Sequence, residues 1–257
     1  MRDPGLQEAI RAAGSVSQLA RQIGISQPSV SSWDRIPAER VLSVESATGV
    51  NRAVLRPDLF GTMTASDVDE IDAARAQEYA LLSALLARAP DAALLKRLAG
   101  LRGDPSPLGL AHAALAEASQ NTSVEHVERE YFDLFIGLGR GELMPYGSFY
   151  LTGFLHDRPL SRLRDDLRTL GIERAEGEVE PEDHAAIMCE IMAGLAARRF
   201  AAPAGSDQQL FEKHLAPWIG RFFIDLERAE AAQFYRCVGT LGRTFIEIET
   251  EAFALPS

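Results

Sequence analysis

The sequence predicts an all-α protein of two domains, a small helix-turn-helix bundle followed by a larger helical body. Apolar residues recur at helical spacing, and no convincing alternating strand pattern is present. Capping residues, prolines and glycines divide the chain into segments of helical length. The 257 residues, of which 46% are hydrophobic, are enough to bury one small and one medium core.

A helix-turn-helix pattern lies within residues 15–60. Gly24 supplies the positive φ that ends its first helix, and Ser26 caps a second helix that runs to about Trp33. Pro28 fits the first turn of this second helix, where a missing backbone donor costs little. Short polar side chains on the outer face could reach base edges in a DNA major groove. These side chains are Gln27, Ser29, Ser31 and Ser32.

Residues 4–60 resemble the YdaS-like branch of the Cro and repressor helix-turn-helix family, including the runs IPAERVLSVESATGV and LRPDLF after the second helix. The resemblance implies about five helices that dock on DNA through residues 27–33. Ser32 stands where many relatives carry Lys or Arg. Phosphate contacts would therefore fall to other side chains, namely Arg21, Arg35, Arg40 or Arg52. A domain kept only for packing or dimerisation is the alternative, because fold does not fix function.

Charge is divided unevenly between the two domains. Residues 1–60 hold seven arginines against six acidic residues, a net charge of +1, whereas the remainder holds 19 basic and 31 acidic residues, a net charge of −12. Phosphate neutralisation supplies most non-specific affinity for DNA. We therefore expect weak, salt-sensitive DNA binding that needs a homodimer with two half-sites. The acidic body favours a basic peptide as its partner.

Several functional classes are disfavoured by composition. Cys189 and Cys237 stand apart without a C-x-x-C pair, and no clustered histidine spacing exists, so neither a metal nor another cofactor is expected. The chain has no signal-peptide pattern and no uninterrupted apolar stretch of about 18 residues. These features predict a cytoplasmic protein without a membrane partner.

The body is expected over residues 67–257, after a polar linker at residues 61–66. Ser66 can cap its first helix, which would turn Ile71, Ala74 and four later leucines inward. Proline and glycine signals end each helix in turn. Helices are predicted at about 67–89, 91–101, 108–118, 122–135, 159–170, 180–199, 207–228 and 230–251.

Particular residues fix the ends of these helices. Thr122 and Glu125 match a capping box, and Pro217 predicts a kink. The acidic residues of segment 180–183 would occupy the first turn of their helix, where the macrodipole favours negative charge. The glycine-rich segment 137–150 lacks the G-K-[S/T] of a phosphate loop and is therefore predicted to be a loop without bound nucleotide.

Three runs in the body resemble the TorD/DmsD-type, NarJ-related redox-enzyme maturation chaperones. They are EREYFDLFIGLGRGELMPYGSFY (128–150), EPEDHAAIMCEIMAGL (180–195) and FEKHLAPWIGRFF (211–223). The resemblance spans about residues 70–250. It implies an all-helical fold and a molybdopterin-containing oxidoreductase as client, bound through its N-terminal twin-arginine-type leader.

The family motifs fall on particular residues of this chain. The L-F-x-G and P-Y-x-S-x-Y patterns cover Leu134, Phe135, Gly137, Pro145, Tyr146, Ser148 and Tyr150. The E-P-x-D-H and F-x-x-H-L-x-x-W patterns cover Glu180, Pro181, Asp183, His184, Phe211, His214, Leu215 and Trp218. One departure is Gly147, where relatives often carry Glu or another larger residue.

A twin-arginine leader offers two guanidinium groups and an apolar stretch, so its receptor needs carboxylates beside an apolar groove. The expected carboxylates are Glu180, Glu182 and Asp183. The expected groove comprises Tyr146, Phe149, Tyr150 and Trp218, with His184 and His214 as donors at its rim and Ser148 within the same motif. Alternatives remain for single residues. Trp218 could belong to the core, and Glu180 and Glu182 could simply complement the positive end of a helix without binding a leader.

Catalysis is not favoured. Asp183 adjoins His184, but Cys189 lies off the same helical face and Ser148 sits in no nucleophile elbow. Two functional classes remain. The first is a molybdoenzyme maturation chaperone whose helix-turn-helix arm could regulate the client's genes. The second is a Cro-type transcriptional regulator whose body senses the client or its leader peptide.

Overall fold

The computed structural model describes residues 3–50, 52–57, 65–174 and 180–255. Within these ranges the chain is helical and contains no β-strand, which confirms the all-α prediction. The chain divides into two compact units, Met1–Ile71 and Asp72–Ser257. Each unit has its own hydrophobic core. None of the described helices is long and apolar enough to cross a membrane.

The first unit contains the predicted helix-turn-helix. Its helices are α1 (Pro4–Ala13), α2 (Val16–Gln22), α3 (Gln27–Ser31), α4 (Val41–Thr48) and α5 (Arg52–Leu55), with a 3-10 turn at Ala38–Arg40. Gly24 has a φ of +71°, as predicted, and the Ser26 hydroxyl accepts the Ser29 backbone N–H at 3.3 Å. Val30 packs fully buried, while Trp33 lies beyond the end of α3 and is half-buried.

The second unit is the helical body. Its helices are α6 (Ala65–Ala87), α7 (Ala92–Leu98), α8 (Pro107–Gln120), α9 (Val124–Tyr131), α10 (Gly147–Thr152), α11 (Arg158–Thr169), α12 (Ala185–Ala196), α13 (Ser206–Leu210), α14 (Ile219–Arg228) and α15 (Phe234–Ala254). Helices α9 and α13 each continue into a π-helical turn, Phe132–Ile136 and Phe211–Leu215. The helix predicted over residues 207–228 is interrupted around Pro217, where a kink was predicted. Helix α15 packs against both α14 and α8.

The start of α6 differs from the prediction. Residues 61–64 of the predicted linker lie outside the described residues, residues 65–66 are helical, and the side chain of Ser66 is not described. Ile71 is 50% exposed and Ala74 is also exposed, so their predicted inward orientation is wrong. The inward stripe continues from Tyr79 to Arg75, and Ile71 lies one turn beyond it.

Two predicted helix starts are also wrong in detail. The cap of α9 is Ser123, whose hydroxyl accepts the His126 N–H at 3.3 Å, so the predicted capping box at Thr122 is displaced by one residue. Helix α12 begins at Ala185 rather than near residue 180. The acidic residues of segment 180–183 therefore precede the helix and do not form its first turn. The backbone there turns at His184, whose N–H donates to Pro181 O at 3.0 Å.

Two buried carboxylates hold helix α15, and neither was predicted. Glu130 accepts backbone N–H groups from three successive residues at the start of α15, at 2.6–3.1 Å. Glu249 receives two hydrogen bonds from the Arg75 guanidinium, at 2.8 and 2.9 Å, and one from the Tyr79 hydroxyl at 3.0 Å. Both contacts join segments more than 100 residues apart, so they fix the closing helix to the rest of the body.

Candidate functional site

The first two family motifs of the body meet in space. Tyr146 and His184 form an isolated antiparallel bridge. Gly147 N–H donates to Asp183 O at 2.9 Å, and Ala185 N–H donates to Pro145 O at 2.8 Å. The loop before α10 is thereby held against the turn before α12. Residues distant in sequence are thus fixed next to one another by main-chain hydrogen bonds.

Asp183 is the central carboxylate of this junction, and it is 4% exposed. Its Oδ2 accepts the Ser148 backbone N–H at 2.7 Å. Its Oδ1 is buried, as is the Ser148 hydroxyl oxygen, and neither atom has a hydrogen-bond partner among the described residues. An unpartnered buried polar group carries a free-energy cost of about 1–3 kcal/mol, and more when it is charged. Buried polar atoms are usually hydrogen-bonded, so both atoms need a partner that the described residues do not supply.

Both residues line a surface cavity of about 320 Å³, which we call the Asp183 pocket. The remaining lining residues are Gly147, Leu151, Thr152, Pro159, Arg162, Leu163, Lys213 and His214. The ammonium of Lys213 and the Nε2 of His214 each lie 2.5 Å from Asp166 Oδ2. The hydrogen bond from Lys213 is the main cause of a lowered pKa of Asp166. Much of the rim's positive charge is thus already paired.

An apolar ridge follows α10, whose Leu151 also lines the pocket. Leu151 is 43% exposed, Phe154 is 71% exposed and Leu155 is 39% exposed. Large apolar side chains exposed together in this way mark a surface that interacts with another molecule. The junction therefore combines a buried carboxylate with adjacent exposed apolar surface.

Tyr146 and His184 reinforce the junction instead of lining an open groove. The Tyr146 hydroxyl donates to Glu180 Oε2 at 2.8 Å, and burial, followed by this carboxylate, raises the pKa of Tyr146. The ring centres of Tyr146 and His184 lie 5.1 Å apart, edge to face. His184 Nδ1 accepts the Ala186 N–H at 3.1 Å, and burial lowers the pKa of His184. His184 is therefore a buried helix cap, which corrects its predicted place as a donor at the rim.

Trp218 belongs to the core, which settles its two alternatives. Its ring is 2% exposed, and its Nε1 donates to His214 O at 2.8 Å. Tyr150 is half-buried with its ring centre 5.8 Å from that of Trp218, and burial raises the pKa of Tyr150. Tyr150 and Trp218 therefore pack against each other and do not line an open groove. The third acidic residue, Glu182, is paired with Arg164 at 2.8 Å.

Gly147 lies close against Trp218 in this chain. A Cβ on Gly147 would lie 2.9 Å from Trp218 Nε1 and 3.0 Å from its Cε2. We expect Gly147→Ala to lower the free energy of unfolding by about 1–3 kcal/mol, because the core must move to admit the methyl group. Urea unfolding monitored by Trp fluorescence measures this. Gly220→Ala is the control, since nothing lies within 4 Å of that Cβ, and it should be neutral or stabilising. Equal losses in the two variants would contradict the packing argument.

The candidate nucleophile Cys189 lies in the core. Cys189 is fully buried, and burial raises the pKa of its thiol to about 12, so it is not a nucleophile at neutral pH. Among the described residues, no group of His, Cys, Asp and Glu side chains could hold a metal ion.

The predicted DNA-reading side chains belong to α3 and the turn after it. Gln27, Ser29, Ser31 and Ser32 are all exposed, and Gln27 Nε2 donates to Ser31 Oγ at 2.9 Å. The predicted phosphate-contacting arginines differ in whether an acidic side chain lies beside them. Arg21 is exposed, Arg35 Nε lies 3.4 Å from Asp3 Oδ2, and Arg52 Nε lies 2.9 Å from Glu45 Oε2.

Known proteins match both units. Residues 102–224 match the family described as nitrate reductase delta subunit, and residues 6–64 match the family described as bacterial toxin YdaS. The chaperone protein TorD of Shewanella loihica is 25% identical over 215 residues, which cover 74% of this chain and 99% of the relative. TorD of Vibrio cholerae is 26% identical over 127 residues, which cover 46% of this chain and 58% of the relative.

A crystal structure of a candidate redox enzyme maturation protein from Archaeoglobus fulgidus is also similar. Its TM-score is 0.46 at 18% sequence identity, and the alignment covers 75% of this chain and 99% of that chain.

Over the described residues, the chain comprises a helix-turn-helix unit and an all-helical body. Over residues 102–224 the helical body is similar to the family described as nitrate reductase delta subunit, and it is also similar to chaperone proteins TorD. The N-terminal unit is similar to the YdaS family over residues 6–64. The relatives named above are described as chaperone proteins.

Proposed function

We propose that this protein is a cytoplasmic chaperone for the maturation of a molybdopterin-containing oxidoreductase, and that it binds the client's twin-arginine-type leader at the Asp183 pocket. The carrying observation is the pair of buried, unpartnered oxygens at Asp183 and Ser148. A guanidinium presents several N–H donors in one plane and matches a carboxylate well. In this proposal a leader arginine donates to these oxygens at the Asp183 pocket, whose lining includes both residues.

The surroundings support the rest of the leader. The apolar segment that follows the arginines in such a leader would lie on Leu151, Phe154 and Leu155. The body's net charge of −12 attracts a basic peptide over distance. Arg162 at the rim opposes a cationic ligand, so the pocket's affinity for arginine is held below what the buried carboxylate alone would provide.

Calorimetry on the full chain tests this proposal with two synthetic leaders that differ only at the arginine pair. The twin-arginine leader should bind at least about tenfold more tightly than its twin-lysine counterpart, because lysine is a point donor and cannot bridge two oxygens in one plane. Equal affinity for the two leaders would contradict arginine recognition at this pocket. A leader with its apolar segment replaced by serines measures the contribution of the ridge separately.

We further propose that the helix-turn-helix unit binds operator DNA and could regulate the client's genes. The observation that favours this is the exposed polar surface of Gln27, Ser29, Ser31 and Ser32, flanked by the exposed Arg21. With a net charge of +1, residues 1–60 should bind DNA only as a homodimer that engages two half-sites. The alternative is a protein that is primarily a transcriptional regulator and uses the body as a sensor of client leader.

Gln27→Ala should weaken binding to the specific operator by about 1–3 kcal/mol and leave non-specific binding nearly unchanged, because the amide reads a base and carries no charge. Selection from a random DNA library followed by mobility-shift titration at low salt measures both affinities. Arg21→Ala is the matched control, which should weaken specific and non-specific binding alike. If the full chain selects no sequence above background, the regulatory proposal fails. If added leader shifts operator affinity, the sensor alternative is favoured.

A further inference from the structure

A second cavity in the body, of about 440 Å³, has three arginines in its lining and shares no lining residue with the Asp183 pocket. We call it the arginine pocket. The arginines are Arg88, Arg97 and Arg199. All three are exposed, and none forms an ion pair with any residue that the structure describes. They converge on one site in a body whose net charge is −12.

The backbone explains why the arginines meet there. Arg88 follows the end of α6, Arg97 lies in the last turn of α7, and Arg199 follows the end of α12. The turn after α12 places Arg198 at a φ of +52°, and Arg199 N–H donates to Gly194 O at 2.8 Å. A left-handed non-glycine residue costs about 1 kcal/mol, so this turn holds Arg199 at the pocket against a local preference.

The rest of the lining leaves room for a bound molecule. Alanines contribute much of the wall on α6 and α12, with Leu94 as the one large apolar side chain among the lining residues. Of the two carboxylates in the lining, Asp91 already accepts the Leu94 N–H at 2.7 Å as the cap of α7. Glu190 is exposed on α12. A cavity of this volume exceeds a single ion and falls in the range of small-molecule sites.

We propose that the arginine pocket binds a phosphate-bearing small molecule, with the phosphate oxygens held by Arg88, Arg97 and Arg199. Guanidinium groups bind phosphate through two parallel N–H bonds, and three of them supply more positive charge than Glu190 and Asp91 offset. The organic part of the ligand, where there is one, lies on the alanine-lined wall.

Calorimetry on the full chain with inorganic pyrophosphate at low salt tests the site. Arg97→Ala and Arg199→Ala should each weaken binding by about tenfold, since each removes a charge-assisted contact. Arg102→Ala is the control, because that arginine is exposed and lies outside the pocket. It should change the dissociation constant less than about twofold. Glu190→Gln should strengthen binding, because it removes a negative charge from the lining.

The proposal is overturned if pyrophosphate does not bind, or if Arg102→Ala weakens it as much as Arg97→Ala. It is also overturned if a tetraglutamate peptide binds the pocket more tightly than pyrophosphate, which would identify an acidic peptide as the occupant. Titration with adenosine or guanosine diphosphate distinguishes an organic phosphate from free phosphate as the ligand. Tighter binding than pyrophosphate, lost in Ala84→Leu, identifies an organic phosphate on the alanine wall, whereas equal binding identifies free phosphate. Circular-dichroism melts confirm that every variant is folded.

Discussion

Replacing Arg75 with alanine should lower the free energy of unfolding of the helical body by about 3–5 kcal/mol. The Arg75 side chain is 15% exposed and that of Glu249 is 2% exposed, so the substitution leaves a carboxylate buried without its counter-charge. The same guanidinium lies 2.9 Å from Asp207 and 3.0 Å from Asp72, and 4.8 Å from the centre of the Phe253 ring. One side chain therefore joins α6, α13 and α15.

Urea unfolding followed by circular dichroism measures the loss. Arg168→Ala is the matched control: its partner Asp165 lies at 2.9 Å, but both side chains are more than two-thirds exposed, and the expected change is below about 1 kcal/mol. The double variant Arg75→Met with Glu249→Leu should recover only part of the stability. It removes the buried Glu249 charge, but the Tyr79 hydroxyl, Asp72 and Asp207 still lose these partners. If Arg75→Ala is as mild as Arg168→Ala, the network does not hold α15.

These contacts show where prediction from the sequence ended. Helix ends could be predicted where one residue decides them, as at Gly24, whose φ is +71°. Arg75 and Glu249 are 174 positions apart, and nothing in their local spacing indicates that they meet. Ile71 was assigned to the core because helical periodicity identifies a face but not where along the helix the core ends.

For the candidate site, the sequence indicates which segments meet but not how their side chains are oriented. The family motifs placed Tyr146 near Asp183 and His184, and the structure brings these residues together. Their orientations depend on hydrogen bonds that only the folded chain reveals. The sequence cannot show that Asp183 accepts the Ser148 N–H with one carboxylate oxygen and leaves the other unpartnered. Nor can it show that the Trp218 ring lies against Gly147.

Asp183→Asn should weaken binding of a twin-arginine leader by about 2 kcal/mol, roughly thirtyfold, while leaving the protein as stable as before or more stable. Asparagine keeps an oxygen to accept the Ser148 N–H, so the junction between α10 and α12 survives. Its amide nitrogen replaces the unpartnered Oδ1, which removes the buried negative charge and places N–H donors beside the Ser148 hydroxyl of the same pocket. A group that costs stability in the free protein and contributes affinity for the ligand is typical of a binding site.

Two companion variants separate recognition from folding. Arg162→Ala removes a positive charge from the rim of the Asp183 pocket and should strengthen leader binding, the opposite sign from Asp183→Asn. Asp165→Asn removes an equal negative charge from an exposed position of α11 that is not among the lining residues, and it should change leader affinity less than about threefold, because solvent screens its charge. Calorimetry with the same leader at fixed salt compares all three. If Asp165→Asn weakens binding as much as Asp183→Asn, the leader responds to the overall charge of the body and the buried carboxylate is not its receptor.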